Sequence, residues 1–350
     1  MPETVGREDE TATLEEIARV AGVSLAAAAR VLSGSAGVDP EARRAVERAA
    51  RRLAQSVDGP AKTAGIPSTN CVGVVITEST KKVFTDWFFA PLLTGIFEAL
   101  SEQSMIMSLF TPQSNREMAL TEAYLMGGHV DGVIMASLHG DDPLPRHLCD
   151  AKIPTVICGR PPRGVPAGFV DCDNRHAAVL AVEHLLSLGR KRIAIISGNL
   201  DMPSAADRLG GYCDALTAAG LPVDPTYEEV ADYLPDRAHM AMERLLLNHA
   251  DLDAVFAGSD EMAAAAIPVL RQARKRIPED VAVVGFDDSP TARICKPMLT
   301  SVRQPILEMG RETVSVLFRQ IADPDAEPPH SIFHAEIAVR ESTSGARTAG

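Results

Sequence analysis

The sequence predicts an α/β protein: a helix-turn-helix headpiece, then two parallel sheets flanked by helices. Three observations carry this. Residues 13–33, TLEEIARVAGVSLAAAARVLS, read as two short helices hinged at Gly22. Residues 56–68, SVDGPAKTAGIPS, are rich in Gly, Pro and Ser and poor in apolar side chains, the composition of a linker. From residue 71 onward, short apolar runs alternate twice over with segments of helical period, the cadence of buried parallel strands.

In the headpiece, Thr13 with Glu16 three residues on is a capping box, pairing a hydroxyl and a carboxylate with orphan helix N–H groups. Leu14, Ile17, Ala18, Val20 and Ala21 supply one apolar face. Gly22 makes the turn, Val23 plugs the crossing and Ser24 caps a second helix to about Leu32. Such a pair lays its second helix in the major groove of DNA. Asp39-Pro40 starts a third helix to about Leu53, with Ala42, Val46, Ala49 and Ala50 inward and Arg43, Arg44, Arg48, Arg51 and Arg52 largely outward. We expect a headpiece over residues 1–55, a hinge over 56–69 and a two-lobed effector-binding and dimerisation domain over 70–345.

The first α/β unit reads as strands at 71–76 (CVGVVI), 105–110, 132–136 and 155–159, separated by helices at 87–103, 117–126 and 144–151. The second reads as a helix at 175–188, then strands at 192–197, 228–231, 254–257 and 281–286, with helices at 205–219, 236–248 and 262–274. A late helix at 306–321 and one alternating closing strand at 331–340 follow. Two such units with a cleft between them suit the grasping of a small solute by hinge closure.

Composition narrows the function. At 350 residues the chain suits two or three compact units. No apolar run approaches the ~20 residues of a membrane span, and MPETVGREDE is acidic without a hydrophobic region, unlike a signal peptide. A cytoplasmic protein without membrane contact is expected. Six scattered cysteines, with no C-x-x-C pair, read as buried thiols in a reducing compartment. The net charge of −13 argues against indiscriminate coating of nucleic acid. Residues 13–55, however, hold seven arginines against five acids, a mildly basic patch on an acidic chain. No phosphate-cradling glycine loop, H-E-x-x-H or G-x-S-x-G motif is present, so neither an enzyme nor a metal or cofactor is expected.

The run T-x-x-x-[IV]-A-x-x-A-G-V-S-x-x-x-x-x-R-V-L at 13–32 resembles the headpiece of the lactose-repressor (LacI/GalR) family. The resemblance spans roughly residues 12–343. It is carried further by Asp131-Gly132, VEHLLSLGRKRIAIISG (182–198), Arg208-x-x-Gly-Tyr, FDDSPTARICKPMLTSVRQP (286–305) and Arg340-Glu-Ser. It implies a periplasmic-binding-protein-like two-lobed domain whose chain crosses between lobes. It also implies a homodimeric transcriptional regulator, favoured as a repressor, with a tetramer as the larger alternative. Operator DNA would be bound through bases by Leu25, Ala26 and Arg30 and through phosphates by Thr13, Ser24 and Ser33. Ala27 and Ala29 stand where members usually carry threonine and serine, so Arg30 and the phosphate contacts would carry more of the binding. The hinge lacks the usual Y-x-P-N and minor-groove leucine, with Ala64 in its place, which opposes a leucine-kinked operator.

For the effector, a sugar-like small molecule, the resemblance points to Arg208 with Asp287 as donor fork and partner carboxylate. Tyr233 would stack on the ligand, and Asp86, Trp87, Phe88 and Phe89 would form the first lining loop. Ser259 and Asp260 stand in place of an Asn-Asp pair, and Arg160 in a CGRP loop. From the residues alone, Arg208 with Asp287 also suits a nucleobase or sugar acid. Asp260 could simply cap a helix, and Asp288 reads as a turn residue. The competing reading is a solute-binding protein of the same fold with a degenerate headpiece.

Overall fold

The computed structural model describes residues 14–32, 45–46 and 69–344. Met1–Ser68 and Thr69–Gly350 are separate compact units. In the first, α1 (Leu14–Ala21) and α2 (Leu25–Leu32) are joined at Gly22, whose φ of +67° is the left-handed conformation glycine adopts without strain. Val23 N–H donates to the Ala18 carbonyl at 3.1 Å, closing the turn. Ala18, Ala28, Val31 and Val46 are buried together, with Ala21 and Val23 packed against them. The expected third helix is described only at residues 45–46, which are helical, and residues 56–68 of the expected hinge lie outside the described residues.

The second unit holds two six-stranded sheets. The first has the order β2 (Ile106–Phe110), β1 (Cys71–Ile76), β3 (Gly132–Ala136), β4 (Thr155–Cys158), β5 (Gly168–Cys172) and β11 (His330–Phe333), all parallel. The second runs β7 (Glu228–Val230), β6 (Ile193–Ser197), β8 (Ala254–Ala257), β9 (Ala282–Phe286), β10 (Thr300–Arg303) and β12 (Glu336–Ala338), with only β12 antiparallel to its neighbour. The inner strands β1, β3, β4, β6, β8 and β9 are buried throughout, while edge strands β2, β7 and β11 are partly exposed. Two-sided cover makes the inner strands read as unbroken apolar runs rather than alternations.

Helices cover both faces of each sheet. In the first lobe, Val72, Val74 and Ile76 face α4 (Phe89–Glu102) and α12 (Ile306–Ala322). Val75, Val133, Met135 and Ile157 point the other way, toward Leu125 of α5 (Asn115–Met126) and Leu144 and Leu148 of α6 (Leu144–Asp150). In the second, α7 (Asn174–Ser187) and α8 (Pro203–Ala218) cover one face, and α9 (Pro235–Asn248) and α10 (Asp260–Gln272) the other. The buried face of α12, Ile306, Met309, Gly310, Thr313, Val314 and Leu317, keeps the 3–4 residue period. Each fully buried Leu or Ile contributes about 1.5–3 kcal/mol.

The chain crosses between lobes three times: from β5 to α7, from β10 to α12 and from β11 to β12. The last crossing corrects the single closing strand read at 331–340: β11 joins the first sheet and β12 the second. Helix 87–103 begins instead at Phe89, after a separate short helix α3 (Thr80–Thr85) capped by Ser79. Strands β5 and β10 and the short helices α11 (Pro290–Ile294) and α13 (Glu341–Ser344) complete the unit.

Candidate functional sites

In the headpiece, the Ser24 hydroxyl accepts the Ala27 N–H at 3.2 Å, capping α2. Ser24, Leu25, Ala26 and Arg30 lie on the exposed side, Leu25 at 46% exposure, while Ala28 and Val31 face inward. Leu25 is thus an apolar side chain held in water at the start of α2. Thr13 and Ser33 lie outside the described residues.

The second site follows from the topology. Strand order reverses beside β1 in one sheet and beside β6 in the other, and ligands of open α/β sheets lie at the carboxyl ends of strands near such reversals. Glu78 follows β1, Ser137 follows β3, Arg160 follows β4 and Asp171 lies near the end of β5. From the other lobe, Tyr233 follows β7, Ser259 follows β8, Asp287 follows β9 and Gln304 follows β10. These residues line one cleft of about 810 Å³, part of it open to solvent. A cleft set between the strand ends of two lobes suits a small ligand rather than a macromolecule.

Arg208, on α8, is 6% exposed and tightly held. Its Nε donates to Asn174 Oδ1 at 2.9 Å, its Nη1 to the Gly258 carbonyl, and its guanidinium carbon lies 3.6 Å from the centre of the Phe286 ring. Asp287 accepts Gln304 Nε2 at 2.6 Å, and burial pushes its pKa up to about 7 against the pull of Arg208. Burial raises Asp171 to about 6, Arg160 pulling the other way. Arg160 Nη2 sits 2.8 Å from Asp207 on the opposite lobe. Asp86 accepts the Phe88 N–H, and burial raises its pKa too.

Asp288 is no mere turn residue. Its carboxylate, 1% exposed, takes Arg293 Nη2 at 3.1 Å, Arg303 Nε at 2.6 Å and Arg340 Nη2. Burial opposes its ionisation, but these three guanidiniums hold its pKa below the ordinary range. Asp287 and Asp288 have φ values of 101° and 52°, so the anchored Asp288 fixes an unusual backbone that turns Asp287 into the cleft.

Tyr233 meets the side chain of Lys82 from the other lobe, whose Nζ lies 5.5 Å from the ring centre. A β-carbon at Gly198 would come within 2.1 Å of that ring. Gly198→Ala is therefore expected to expel the ring and weaken effector binding about tenfold. Calorimetric titration checks this, with operator binding unchanged as the control.

A charged bridge joins the lobes on one flank. His139 Nδ1 lies 3.0 Å from Asp201 Oδ1, and its Nε2 3.2 Å from Glu78 Oε1. The Glu78 bond foremost, with Asp201, lifts His139 from 6.5 to about 9. A raised folded-state pKa contributes stability that is full below pH 6.5 and lost as pH rises through 9. Between pH 7 and 9 the melting temperature should fall more steeply for the native chain than for His139→Gln. Differential scanning fluorimetry reads the difference.

The cleft brings together Asp86, Phe88, Phe89, Arg160, Arg208, Tyr233, Ser259 and Asp287. Trp87 and Asp260 do not line it. Trp87 points away at 46% exposure. Asp260 is wholly buried beneath β9, its Oδ2 accepting the Ser289 N–H at 2.7 Å, and the cap of α10 is Ser259. Glu78, Lys82, Asp171, Asn174 and Gln304 are lining residues that the sequence reading missed. For Glu78, Asp171 and Gln304 the available signal was their place at strand ends.

A helix-turn-helix and a two-lobed solute cleft on one chain define a ligand-responsive DNA-binding regulator. Residues 13–54 match the model of the bacterial regulatory proteins of the lacI family, and residues 182–343 that of a periplasmic binding protein-like domain. The chain is 42% identical over 333 residues to the HTH-type transcriptional regulator CelR of Thermobifida fusca, covering 94% of this chain and 98% of that one. It is 30% identical over 334 residues to catabolite control protein A of Priestia megaterium, covering 95% and 99%. Among solved structures it is similar to a transcriptional regulator CelR–cellobiose complex, with a TM-score of 0.76, 41% identity and coverage of 95% and 100%. It shares its fold with the lac repressor dimer bound to operator and the anti-inducer ONPF, at a TM-score of 0.69, 21% identity and coverage of 95% and 99%. The chain belongs to the LacI family of transcriptional regulators.

Proposed function

We propose that this regulator is a cytoplasmic homodimeric repressor, without enzymatic activity, that is released from or retained on its operator by a disaccharide such as cellobiose. Two headpieces on a two-fold axis meet two half-sites, which one small headpiece needs for affinity. Leu25, Ala26 and Arg30 would read bases, with Thr13, Ser24 and Ser33 on phosphates. Arg208, Asp287, Tyr233, Phe88, Phe89, Asp86, Arg160 and Ser259 would hold the sugar, while Trp87 and Asp260 would act from behind the lining. The effector reading is carried by the convergence of Arg208, Asp287 and Tyr233 on one cleft between lobes. A guanidinium and carboxylates suit vicinal hydroxyls, and aromatic faces suit a sugar ring. Closing the lobes on it would shift the headpieces, so sugar and operator affinities change by one reciprocal factor.

The test is a fluorescence-anisotropy titration of the full chain on its own promoter fragment, with and without cellobiose. Salt-sensitive binding that shifts with cellobiose is expected; binding that ignores every sugar offered would sink the effector reading. In the same assay Arg30→Ala should weaken operator binding about tenfold or more, since a bidentate base contact is worth about 1–3 kcal/mol. An affinity unchanged by that substitution would remove Arg30 from the interface.

A further inference from the structure

His139 stands between the lobes with a carboxylate on each of its ring nitrogens. Nε2 faces Glu78, which follows β1 in the same lobe, at 3.2 Å. Nδ1 faces Asp201, which follows β6 in the other lobe, at 3.0 Å. The next residue repeats the link through the backbone, the Gly140 N–H donating to the Asp201 carbonyl at 3.2 Å. Neither His139 nor Asp201 lines the cleft, so the pair joins the lobes without touching what the cleft holds.

The chemistry of the ring makes this joint depend on a proton. A neutral imidazole has one N–H and one lone pair, whereas the imidazolium has two N–H groups. Only the cation can donate to both carboxylates; the neutral ring turns a lone pair on one of them. Glu78 does not supply the missing proton. Burial opposes its ionisation, but His139, Lys82 and Ser137 all converge on Oε1 and hold its pKa below the ordinary range. Glu78, Asp201 and, behind Glu78, Lys82 are thus the charges that face the ring from other elements. In its own loop, Asp142 is turned to the Leu144 N–H. The other charge pair across the cleft, Arg160 with Asp207 at 2.8 Å, needs no such condition, because a guanidinium stays charged.

From this geometry we infer that His139 is a proton-operated clasp: the lobes close on the effector with the ring protonated, so effector binding takes up a proton there and weakens in alkali. This rests on reading the cleft as an effector site that closes. When the lobes part, Asp201 leaves with its own lobe and only Glu78 remains, so the ring holds its proton less firmly. In the closed arrangement Glu78 foremost, against burial, and then Asp201 lift its pKa from 6.5 to about 9. A pKa raised by closure adds affinity that is full at low pH and is lost as pH rises through about 9.

Calorimetric titration of the full-length chain with cellobiose tests this. The native affinity should be about fivefold weaker at pH 9 than at pH 7. Between those values the heat of binding should also vary with the ionisation enthalpy of the buffer, as uptake of a fraction of a proton requires. Two variants locate that proton. His139→Gln removes the titrating ring, and Asp201→Asn keeps the ring but removes the charge on the far lobe. Both should lose most of the pH and buffer dependence. Asp287, whose pKa burial raises to about 7, is present in all three chains and cancels in the comparison.

A native affinity that does not fall between pH 7 and 9, or that falls equally in both variants, overturns the inference. So does a fall kept by Asp201→Asn and lost by His139→Gln, which would place the proton within one lobe rather than in the joint. If cellobiose binds at no pH, the effector reading itself fails and takes this inference with it.

Discussion

Replacing Arg208 with methionine should abolish the response to effector while leaving the headpiece able to bind operator. The guanidinium is bonded to Asn174 and the Gly258 carbonyl and stacked on Phe286 in a buried position. Methionine fills much of the volume but leaves both acceptors unpaired, at about 1–3 kcal/mol each. It also removes the cation that restrains the pKa of Asp287, so that carboxyl would spend more of its time protonated near neutral pH. We expect a loss of about 2–4 kcal/mol in stability and at least about a hundredfold in effector affinity. Arg208→Lys should rescue little, because an ammonium keeps the charge but not the planar fork. Urea unfolding and anisotropy titration with effector check the two parts; an affinity within threefold of the native value would remove Arg208 from the site.

Gly310→Ala should cost stability on a similar scale by a different route. Helices α4 and α12 cross in the first lobe with their backbones nearly touching. A β-carbon at Gly310 would lie 2.4 Å from the Leu92 carbonyl oxygen, and one at Gly95 would lie 2.2 Å from that of Leu307. The obstacle is main chain, which cannot swing aside as a side chain can. The helices must separate, loosening Leu92, Ile96, Val314 and Leu317 together. Overpacking of this kind costs about 1–3 kcal/mol, and more where rigid elements meet. Gly95→Ala should behave alike, and the double substitution should cost less than the sum, since one separation relieves both clashes. Chemical unfolding of the single and double variants measures this; a fully additive pair would contradict a shared crossing.

Much of the architecture was legible because the inner strands are covered on both faces. CVGVVI, GVIMA and VAVVGF can be little else when helical segments lie between them. GFVDC and TSVR were not legible as strands, for they are short and carry polar residues that are buried only by tertiary context. The stretch 331–340 alternates as one strand would. Side-chain parity alone does not reveal that the chain leaves one sheet at Phe333 and enters another at Glu336.

The cleft divides in the same way. Arg208 and Asp287 stand out because their neighbours form a distinctive run. Glu78 looks like any solvated loop acid even with β1 read to end at Ile76, because only the pairing of the strands brings that end to the cleft, and Asp171 was unread because β5 was unread. Asp260 failed by one residue: Ser259 caps α10 at the cleft, and the next side chain turns under Gly285.

The three crossings between lobes have a consequence for how this protein is made. Strand β11 and helix α12, which complete and cover the first sheet, are encoded after every strand of the second sheet except β12. As the chain leaves the ribosome from its N-terminus, the headpiece can mature early, but the first lobe waits, with the face of α4 bare, until nearly the whole protein has been synthesised. Neither lobe exists as a continuous stretch of message. A premature stop anywhere between residues 200 and 300 would leave two unfinished halves rather than one finished lobe. Cutting the gene between the lobes would not yield a working half.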